Sequence, residues 1–153
     1  MALYLVQHGR SLPKEQDPER GLSPEGIAEA ERIAGVARGY GVRVGCIRHS
    51  GKLRALRTAE IFAAALVPER GIEESRGLDP LDPVEPWSTR LRTEENLMLV
   101  GHLPFLERLT GLLIADSPDR LLFKFQNGGL VCLDRLPETT HWFIKWALMP
   151  RTG

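Results

Sequence analysis

The segment LMLVGHLPFLERLTGLL, residues 97–113, pairs a short apolar run with a longer amphipathic one. Leu97–Val100 is uninterrupted by polar residues, which predicts a buried strand. The leucines at 103, 106, 109 and 113 recur at helical spacing and predict a helix directly after the strand. A strand that leads straight into a helix is typical of an α/β fold with a parallel sheet.

The N-terminal third repeats this order. Ala2–Val6 predicts a first strand, and residues 7–23 predict a loop because they contain Pro13, Pro18 and Gly21. Ser23 and Pro24 form a helix start, with a side-chain cap and a proline at the first helical position. The helix is expected to end near Gly39, with an inner face of Ile27, Ala30, Ile33, Ala34 and Ala37.

A second unit follows. Val42–Ile47 predicts a strand, and residues 51–66 predict a helix with an inner side of Leu53, Leu56, Phe62 and Leu66. Residues 68–88 hold four prolines and predict an irregular excursion, with a short strand near Ile72. A short helix is expected over residues 84–91.

The C-terminal part predicts strands at Leu130–Leu133 and Trp142–Leu148, the last one antiparallel at the sheet edge. The whole chain, residues 1–153, is therefore expected to form a single α/β domain. Its predicted architecture is a three-layer α/β/α sandwich with a mainly parallel sheet.

Charge and composition limit the classes of function. Twenty basic and twenty acidic residues cancel, which argues against nucleic acid as a partner. No apolar run approaches the roughly 20 residues of a membrane span, and the N-terminus lacks the pattern of a secretory signal. We therefore expect no membrane partner and a cytoplasmic location, with Cys46 and Cys132 as buried free thiols. Seven basic residues and no acid fall between Arg32 and Ala59, which indicates either a solvated face or an anion site.

Three polar segments follow predicted strands. They are Gln7-His8-Gly9-Arg10-Ser11, Arg48-His49-Ser50-Gly51-Lys52-Leu53-Arg54 and Gly101-His102-Leu103-Pro104. Ligands of open α/β sheets bind outside the carboxyl ends of the strands. Imidazole can accept a phosphoryl group covalently, and arginine matches phosphate oxygens with a planar fork. The pattern indicates phosphoryl transfer.

Competing motifs fit poorly. Gly45 lies six residues before Gly51, where a nucleotide-binding P-loop needs five, and Leu53 replaces the magnesium-binding Ser or Thr. A cysteine phosphatase built on Cys46 would need arginine at the position of Lys52. Metal ligation is not indicated by the spacing of the four histidines, His8, His49, His102 and His141.

In combination these segments resemble the histidine phosphatase superfamily. Gln7-His8-Gly9 stands where that family has Arg-His-Gly after the first strand. Residues 50–59 match its Ser-x-x-x-Arg-Ala-x-Gln-Thr-Ala element, with Arg57 at the position of its Gln. Gly101-His102 matches its Gly-His, and residues 22–26 match its Leu-Ser-x-x-Gly helix start. The short chain most resembles the SixA-type phosphohistidine phosphatases, and Leu78-Asp79-Pro80 is similar to their Leu-x-Pro.

The resemblance implies a role for each matched position. His8 is expected to be the nucleophile that becomes phosphorylated, Arg54 a phosphate-binding arginine, and His102 the residue that stabilises the transferring group. The resemblance implies no metal or organic cofactor. Larger branches of the family place a general-acid carboxylate in the region of residues 73–80. Glu73 and Glu74 lie nearby, but neither matches that motif, and we expect both in a solvated acidic stretch.

Gln7 departs from the family pattern, because its amide carries no charge and cannot form the arginine fork. It is still expected to contact phosphate, and Arg10, Arg48 or Lys52 could supply the missing charge. Three functions therefore remain open: a phosphohistidine phosphatase acting on a phosphorylated signalling protein, a phosphatase of small phosphorylated substrates, and a phosphate-binding module without turnover. The sequence does not indicate an oligomeric state.

Overall fold

The computed structural model describes all 153 residues and is built on a six-stranded sheet. The strands are β1 Leu3–Gln7, β2 Cys46–His49, β3 Ile72–Glu74, β4 Leu97–Gly101, β5 Leu130–Arg135 and β6 Trp142–Leu148. The helices are α1 Pro24–Gly39, α2 Leu53–Leu66, α3 Glu85–Ser88 and α4 Phe105–Ala115, with a 3-10 turn at Thr93–Glu95. The strands lie in the order β3-β2-β4-β1-β5-β6.

The sheet is parallel over its first four positions. β3, β2, β4 and β1 pair in parallel, β5 pairs antiparallel with β1, and β6 pairs antiparallel with β5. The predicted antiparallel edge strand is confirmed at Trp142–Leu148.

Two hydrophobic cores lie on the two faces of the sheet. Leu97 and Leu99 of β4 pack into one core with α3 and α4, whereas Met98 and Val100 pack into the other with α1 and α2. Successive side chains of a strand point to opposite faces, so a fully apolar strand needs helices on both sides. The predicted three-layer α/β/α sandwich is confirmed.

α1 begins as the sequence indicates. The Ser23 hydroxyl accepts a hydrogen bond from the Gly26 amide at 3.0 Å, and Pro24 is the first helical residue. The predicted inner face is buried except at Ile27, which is 40% exposed. Ile27 instead lines a surface groove together with Leu53 and Ile61 of α2.

β2 starts later than predicted. The expected strand Val42–Ile47 is wrong at both ends, since pairing with β4 begins at Cys46 and continues to His49. The Val42 amide instead donates to the Ala37 carbonyl and completes the end of α1. An apolar run by itself does not show whether its residues form a strand or complete the preceding helix, because both would use the same backbone groups.

α2 buries two alanines, a threonine and the predicted inner residue Phe62, but none of its leucines fully. It begins at Leu53, and its buried residues are Ala55, Thr58, Ala59 and Phe62. The predicted inner residues Leu53, Leu56 and Leu66 are only partly buried. Close contact between α2 and α1 favours alanine at the interface, because larger side chains would hold the two helices apart.

Two smaller predictions are confirmed, although the observed elements have different bounds. The short helix expected over residues 84–91 is α3, and its Trp87 indole donates to the Gly77 carbonyl at 2.7 Å. The strand expected near Ile72 is β3. Cys46 and Cys132 are both buried free thiols, as expected.

Candidate active site

The carboxyl ends of β2, β4 and β1 lie side by side, so the three polar segments meet at one edge of the sheet. Gln7 pairs with Gly101 in the β1–β4 ladder, and the His8 amide donates to the Gly101 carbonyl at 3.0 Å. The rings of His8 and His102 are 5.0 Å apart between centroids and tilted by 52°. The sheet topology therefore brings together the two histidines that the sequence singles out.

His8 is held from two sides. Its ring Nδ1 lies 2.7 Å from the Gly9 carbonyl oxygen, and the Asn127 side-chain amide donates to the His8 carbonyl at 2.9 Å. A carbonyl oxygen accepts but cannot donate, so this bond places the proton of a neutral ring on Nδ1. The Nε2 lone pair is then free.

The backbone beside His8 is anchored to α2. The Gly9 amide donates to the Thr58 hydroxyl at 2.8 Å, and that hydroxyl donates to the Arg54 carbonyl at 2.8 Å. Arg54 lies in the first turn of α2. One buried threonine therefore couples the position of the His8 loop to the helix that carries Arg54.

His102 is 1% exposed and follows β4 directly. Its Nε2 lies 2.6 Å from the Ser50 hydroxyl, while its Nδ1 is buried and has no hydrogen-bond partner. The Ser50 hydroxyl therefore orients the ring. Ser50 stands in the second polar segment, but the sequence alone did not predict this contact.

Burial keeps both imidazoles neutral. It lowers the pKa of His8 to about 4, partly opposed by the Gly9 bond and reinforced by the charges of Arg54 and Arg20. Burial also lowers the pKa of His102 to about 3, with further lowering by His8, Arg54 and Lys52. A neutral imidazole is the form that can act as a nucleophile.

The cations near the site fall into two groups. Arg10 pairs with Glu29 at 3.0 Å, and Arg48 pairs with Glu73 at 2.6 Å. Arg54, Lys52 and Arg20 take part in no ion pair. Burial first, and then the charge of Arg20, lowers the pKa of Arg54, whereas Asp79 raises it.

Arg20 and Asn127 were missed by sequence reasoning. Arg20 lies in the loop before α1, which was expected to be irregular, and its guanidinium donates to the Ser11 hydroxyl at 3.0 Å. Asn127 lies in the turn before β5, the strand next to β1, and its side-chain amide donates to the His8 carbonyl. Neither position carries a local signal, because each acts through a contact that only the folded chain creates.

Gln7 and the acidic residues complete the surroundings. Gln7 is 9% exposed, and its buried Oε1 has no hydrogen-bond partner. Glu73 forms an ion pair with Arg48, whereas Glu74 packs against Gly51 at the end of β3.

No group of three or more His, Cys, Asp or Glu side chains is arranged to hold a metal ion. No helix is both long enough and apolar enough to cross a membrane.

Comparison with known proteins gives structural matches only. No protein-family model and no curated protein matches the sequence. The protein histidine phosphatase SixA, solved with tungstate, superimposes with a TM-score of 0.83 at 23% identity, over 98% of this chain and 97% of that one. A protein assigned as the phosphohistidine phosphatase SixA of Agrobacterium tumefaciens gives 0.75 at 27% identity, over 97% of each chain.

A phosphatase with a different name also has this fold. The alpha-ribazole phosphatase of Shigella flexneri superimposes with a TM-score of 0.73 at 14% identity, over 100% of this chain and 98% of that one. The resemblance inferred from the motifs is thereby confirmed. The chain has the fold of the histidine phosphatase superfamily, with SixA phosphohistidine phosphatases among its structural neighbours.

Proposed function

We propose that this protein is a phosphatase that forms a covalent phosphohistidine on His8 and prefers phosphohistidine as its substrate. The hydrogen bond from His8 Nδ1 to the Gly9 carbonyl carries the proposal, because it leaves Nε2 unprotonated beside His102. The names of the structural neighbours support phosphatase chemistry on this fold. Arg54 and His102 are proposed to bind the phosphoryl oxygens.

The proposed reaction has two transfers. The substrate is a phosphohistidine whose ring is protonated on the nitrogen that does not carry phosphorus. His8 Nε2 attacks phosphorus while the P–N bond of the substrate breaks, and the substrate imidazole leaves as a neutral ring that keeps this proton. Water then attacks the phosphorus on His8, the P–Nε2 bond breaks, and dihydrogen phosphate leaves. His8 also departs neutral, because Nδ1 already holds a proton on the Gly9 carbonyl.

The positions of the protons in these two transfers explain why the enzyme would prefer a substrate with a P–N bond. An imidazole leaving group needs no added proton, whereas an alkoxide needs a strong proton donor. Neither His8 nor His102 is hydrogen-bonded to a carboxylate in this structure. The observation supports a phosphorylated histidine, such as that of a signalling phosphotransfer domain, over an alkyl phosphate.

A direct assay tests the proposal. A phosphotransfer domain phosphorylated on histidine is mixed with the protein, and released inorganic phosphate is followed with time. We expect release by the wild type, none by His8→Ala, and wild-type release by His141→Ala, whose exposed histidine lies in the β5–β6 turn. Binding without release by the wild type indicates a binding module instead, and unchanged release by His8→Ala rejects the assigned nucleophile.

Glu74 supports a second candidate, the phosphatase of small phosphate esters. Its carboxylate lies beside Gly51, the residue after Ser50, whose hydroxyl contacts His102. In this second function Glu74 is the proposed proton donor to the leaving oxygen. An alkyl phosphate panel separates the two functions. Turnover of alkyl phosphates that falls at least about 100-fold in Glu74→Gln, but not in the control Glu69→Gln, would establish the second function.

A further inference from the structure

A cavity lies beside the amino ends of β1 and β4, away from the proposed active site at their carboxyl ends. Its volume is about 760 Å³, within the range of about 300–1,000 Å³ that is typical of small-molecule sites. α1 has 16 residues, and its first turn lies against the His8 loop, whereas the cavity begins beyond its last residue. About 24 Å of helix therefore separates the cavity from the proposed phosphoryl transfer.

The cavity is formed where separate elements meet on one face of the sheet. It is bordered by residues 40–43 after α1, by Asn96 before β4, by Tyr4 of β1, and by Trp146 and Leu148 of β6. Tyr4 is buried on the face that α1 and α2 cover, but Trp146 and Leu148 are only partly buried there. Because β6 is the edge strand, the space over it stays open to solvent.

Three aromatic rings line the cavity. The rings of Tyr4 and Trp146 are 6.1 Å apart between centroids and tilted by 47°. Tyr40 lies on the opposite wall and is 77% exposed, although it is a large aromatic residue. Aromatic side chains stack on flat aromatic ligands, and this arrangement of rings favours a planar guest.

The polar side chains of the cavity are left with hydrogen bonds to donate. Tyr4 is 6% exposed, yet its hydroxyl has no protein partner, and burial is the main cause that raises the pKa of Tyr4 to about 12. A buried tyrosine hydroxyl normally finds a partner. The Asn96 Oδ1 already accepts from the Ala2 amide at 2.9 Å, so its side-chain NH₂ remains. The cavity therefore suits a ligand with hydrogen-bond acceptors.

The charges around the cavity favour an anion. Arg43 lines it and takes part in no ion pair, and no aspartate or glutamate lines it. The charge of Asp134 acts on Tyr4, but this carboxylate pairs with Lys145 at 3.7 Å. The last carbonyls of α1 already accept from the amides of residues 40–42, so they leave no free acceptor for a cation.

We propose that this cavity is a second ligand site, which binds a planar aromatic molecule that carries an anionic group. The ring of the ligand stacks on Trp146 and Tyr40, the Tyr4 hydroxyl donates to an acceptor on it, and Arg43 binds the anionic group. Nucleotides and aromatic carboxylates share this chemistry. The site goes beyond the proposed phosphatase function and does not depend on it.

Calorimetry on the full chain tests the site with adenosine monophosphate and with 2-naphthoate, and the probe that binds distinguishes a nucleotide from an aromatic acid. Saturating inorganic phosphate is present throughout, so that the proposed active site is already occupied. We expect Tyr40→Ala to weaken binding about 5- to 100-fold, because it removes a stacking ring. Phe143→Ala removes an exposed aromatic ring of β6 that lies outside the cavity, and it should bind like the wild type.

Fluorescence gives an independent readout of the same site. Trp87 and Trp142 are buried in the core on the other face of the sheet, so a ligand in the cavity contacts only Trp146 among the tryptophans. We expect the bound ring to quench the tryptophan emission of the wild type. The quenching should be absent in Trp146→Phe, which keeps an aromatic wall; quenching that persists in this variant would overturn the proposal.

A third set of measurements tests the anionic group. Arg43→Gln should weaken binding of the anionic probe at least about 5-fold. Arg38→Gln removes another exposed charge from the end of α1, outside the cavity, and should have no effect. The neutral analogues adenosine and 2-naphthalenemethanol should bind the wild type more weakly and should not respond to Arg43→Gln.

Three results would overturn the proposal. The first is that neither anionic probe binds, which would mean that the cavity holds water only. The second is binding that is unchanged in both Tyr40→Ala and Arg43→Gln, because the probe would then lie elsewhere. The third is a neutral analogue that binds as tightly as its anionic counterpart, which would reject the anionic class of ligand.

Discussion

Thr58 and Thr110 are both buried threonines in helices, but their hydroxyl groups have different hydrogen-bond partners. Thr58 accepts from the Gly9 amide at 2.8 Å, whereas Thr110 donates to the Leu106 carbonyl of its own helix at 2.8 Å. Replacing Thr58 by valine leaves a buried amide unpaired. Replacing Thr110 leaves a carbonyl that α4 already satisfies.

We therefore expect Thr58→Val to lower the free energy of unfolding by about 1–3 kcal/mol, and Thr110→Val by less than about 1 kcal/mol. Urea unfolding followed by circular dichroism measures both. Phosphohistidine turnover should also fall in Thr58→Val, because the His8 loop loses its contact with α2. Equal destabilisation by the two variants would contradict the assigned role of the Gly9–Thr58 bond.

The protonation of His8 is a second prediction for a single residue. Burial lowers its pKa to about 4, so the ring should stay neutral from pH 7 down to about pH 5. A proton NMR titration of the His8 ring should give a midpoint near pH 4. Saturating inorganic phosphate should raise that midpoint, because a nearby negative charge favours the imidazolium; a midpoint at 6.5 or above without phosphate would contradict the prediction.

At the scale of an element, α1 carries two glycines with opposite surroundings. A Cβ on Gly26 would overlap the Arg10 carbonyl and crowd the Arg10 amide nitrogen at 2.9 Å, so α1 approaches the His8 loop through a bare backbone. A Cβ on Gly35 would meet nothing within 4 Å. The same substitution should therefore have opposite effects at the two positions.

We expect Gly26→Ala to destabilise the fold by about 3 kcal/mol, since backbone atoms cannot move aside as a side chain can. Gly35→Ala should stabilise it by about 0.5–1 kcal/mol, because alanine is the better helix former and no contact opposes it. Thermal unfolding of the two variants measures the difference. Stabilisation by Gly26→Ala would show that α1 does not lie against the His8 loop.

At the scale of the whole molecule, the buried histidines make stability depend on pH. In the unfolded chain histidine takes up a proton near pH 6.5, but in the folded protein His8 and His102 do so only near pH 4 and pH 3. Between these values the unfolded state binds more protons, so stability must fall as the pH falls from about 6.5 to 4. Each histidine contributes a slope of at most about 1.4 kcal/mol per pH unit.

Urea unfolding at about pH 7, 5.5 and 4.5 tests this dependence. We expect the wild type to lose stability across the series, and His102→Asn to lose less of it because one titrating group is gone. The difference between the two slopes isolates the histidine from the carboxylates that also titrate at low pH. Identical slopes would mean that His102 is not protonated on unfolding in this range.

The sequence by itself determined the order of strands and helices, the layers and the identity of the three segments at the site, but not the bounds of every strand. A strand with apolar residues on both faces requires helices on both sides, and His8 and His102 each follow such a strand directly. Those signals are local, since they depend on neighbours within a few positions. The parallel sheet then carries the segments to one edge.

Only the tertiary structure decided which charges are available there. Arg10 and Arg48 lie in the polar segments that follow strands and are the arginines that the sequence favours, but each meets a carboxylate from another element, Glu29 or Glu73. Arg20 meets none and is anchored to Ser11 instead. The type of a residue determines what its side chain can bind. The packing of separate elements determines whether a charge already has a partner. Such packing depends on contacts between distant residues, which no local sequence pattern encodes.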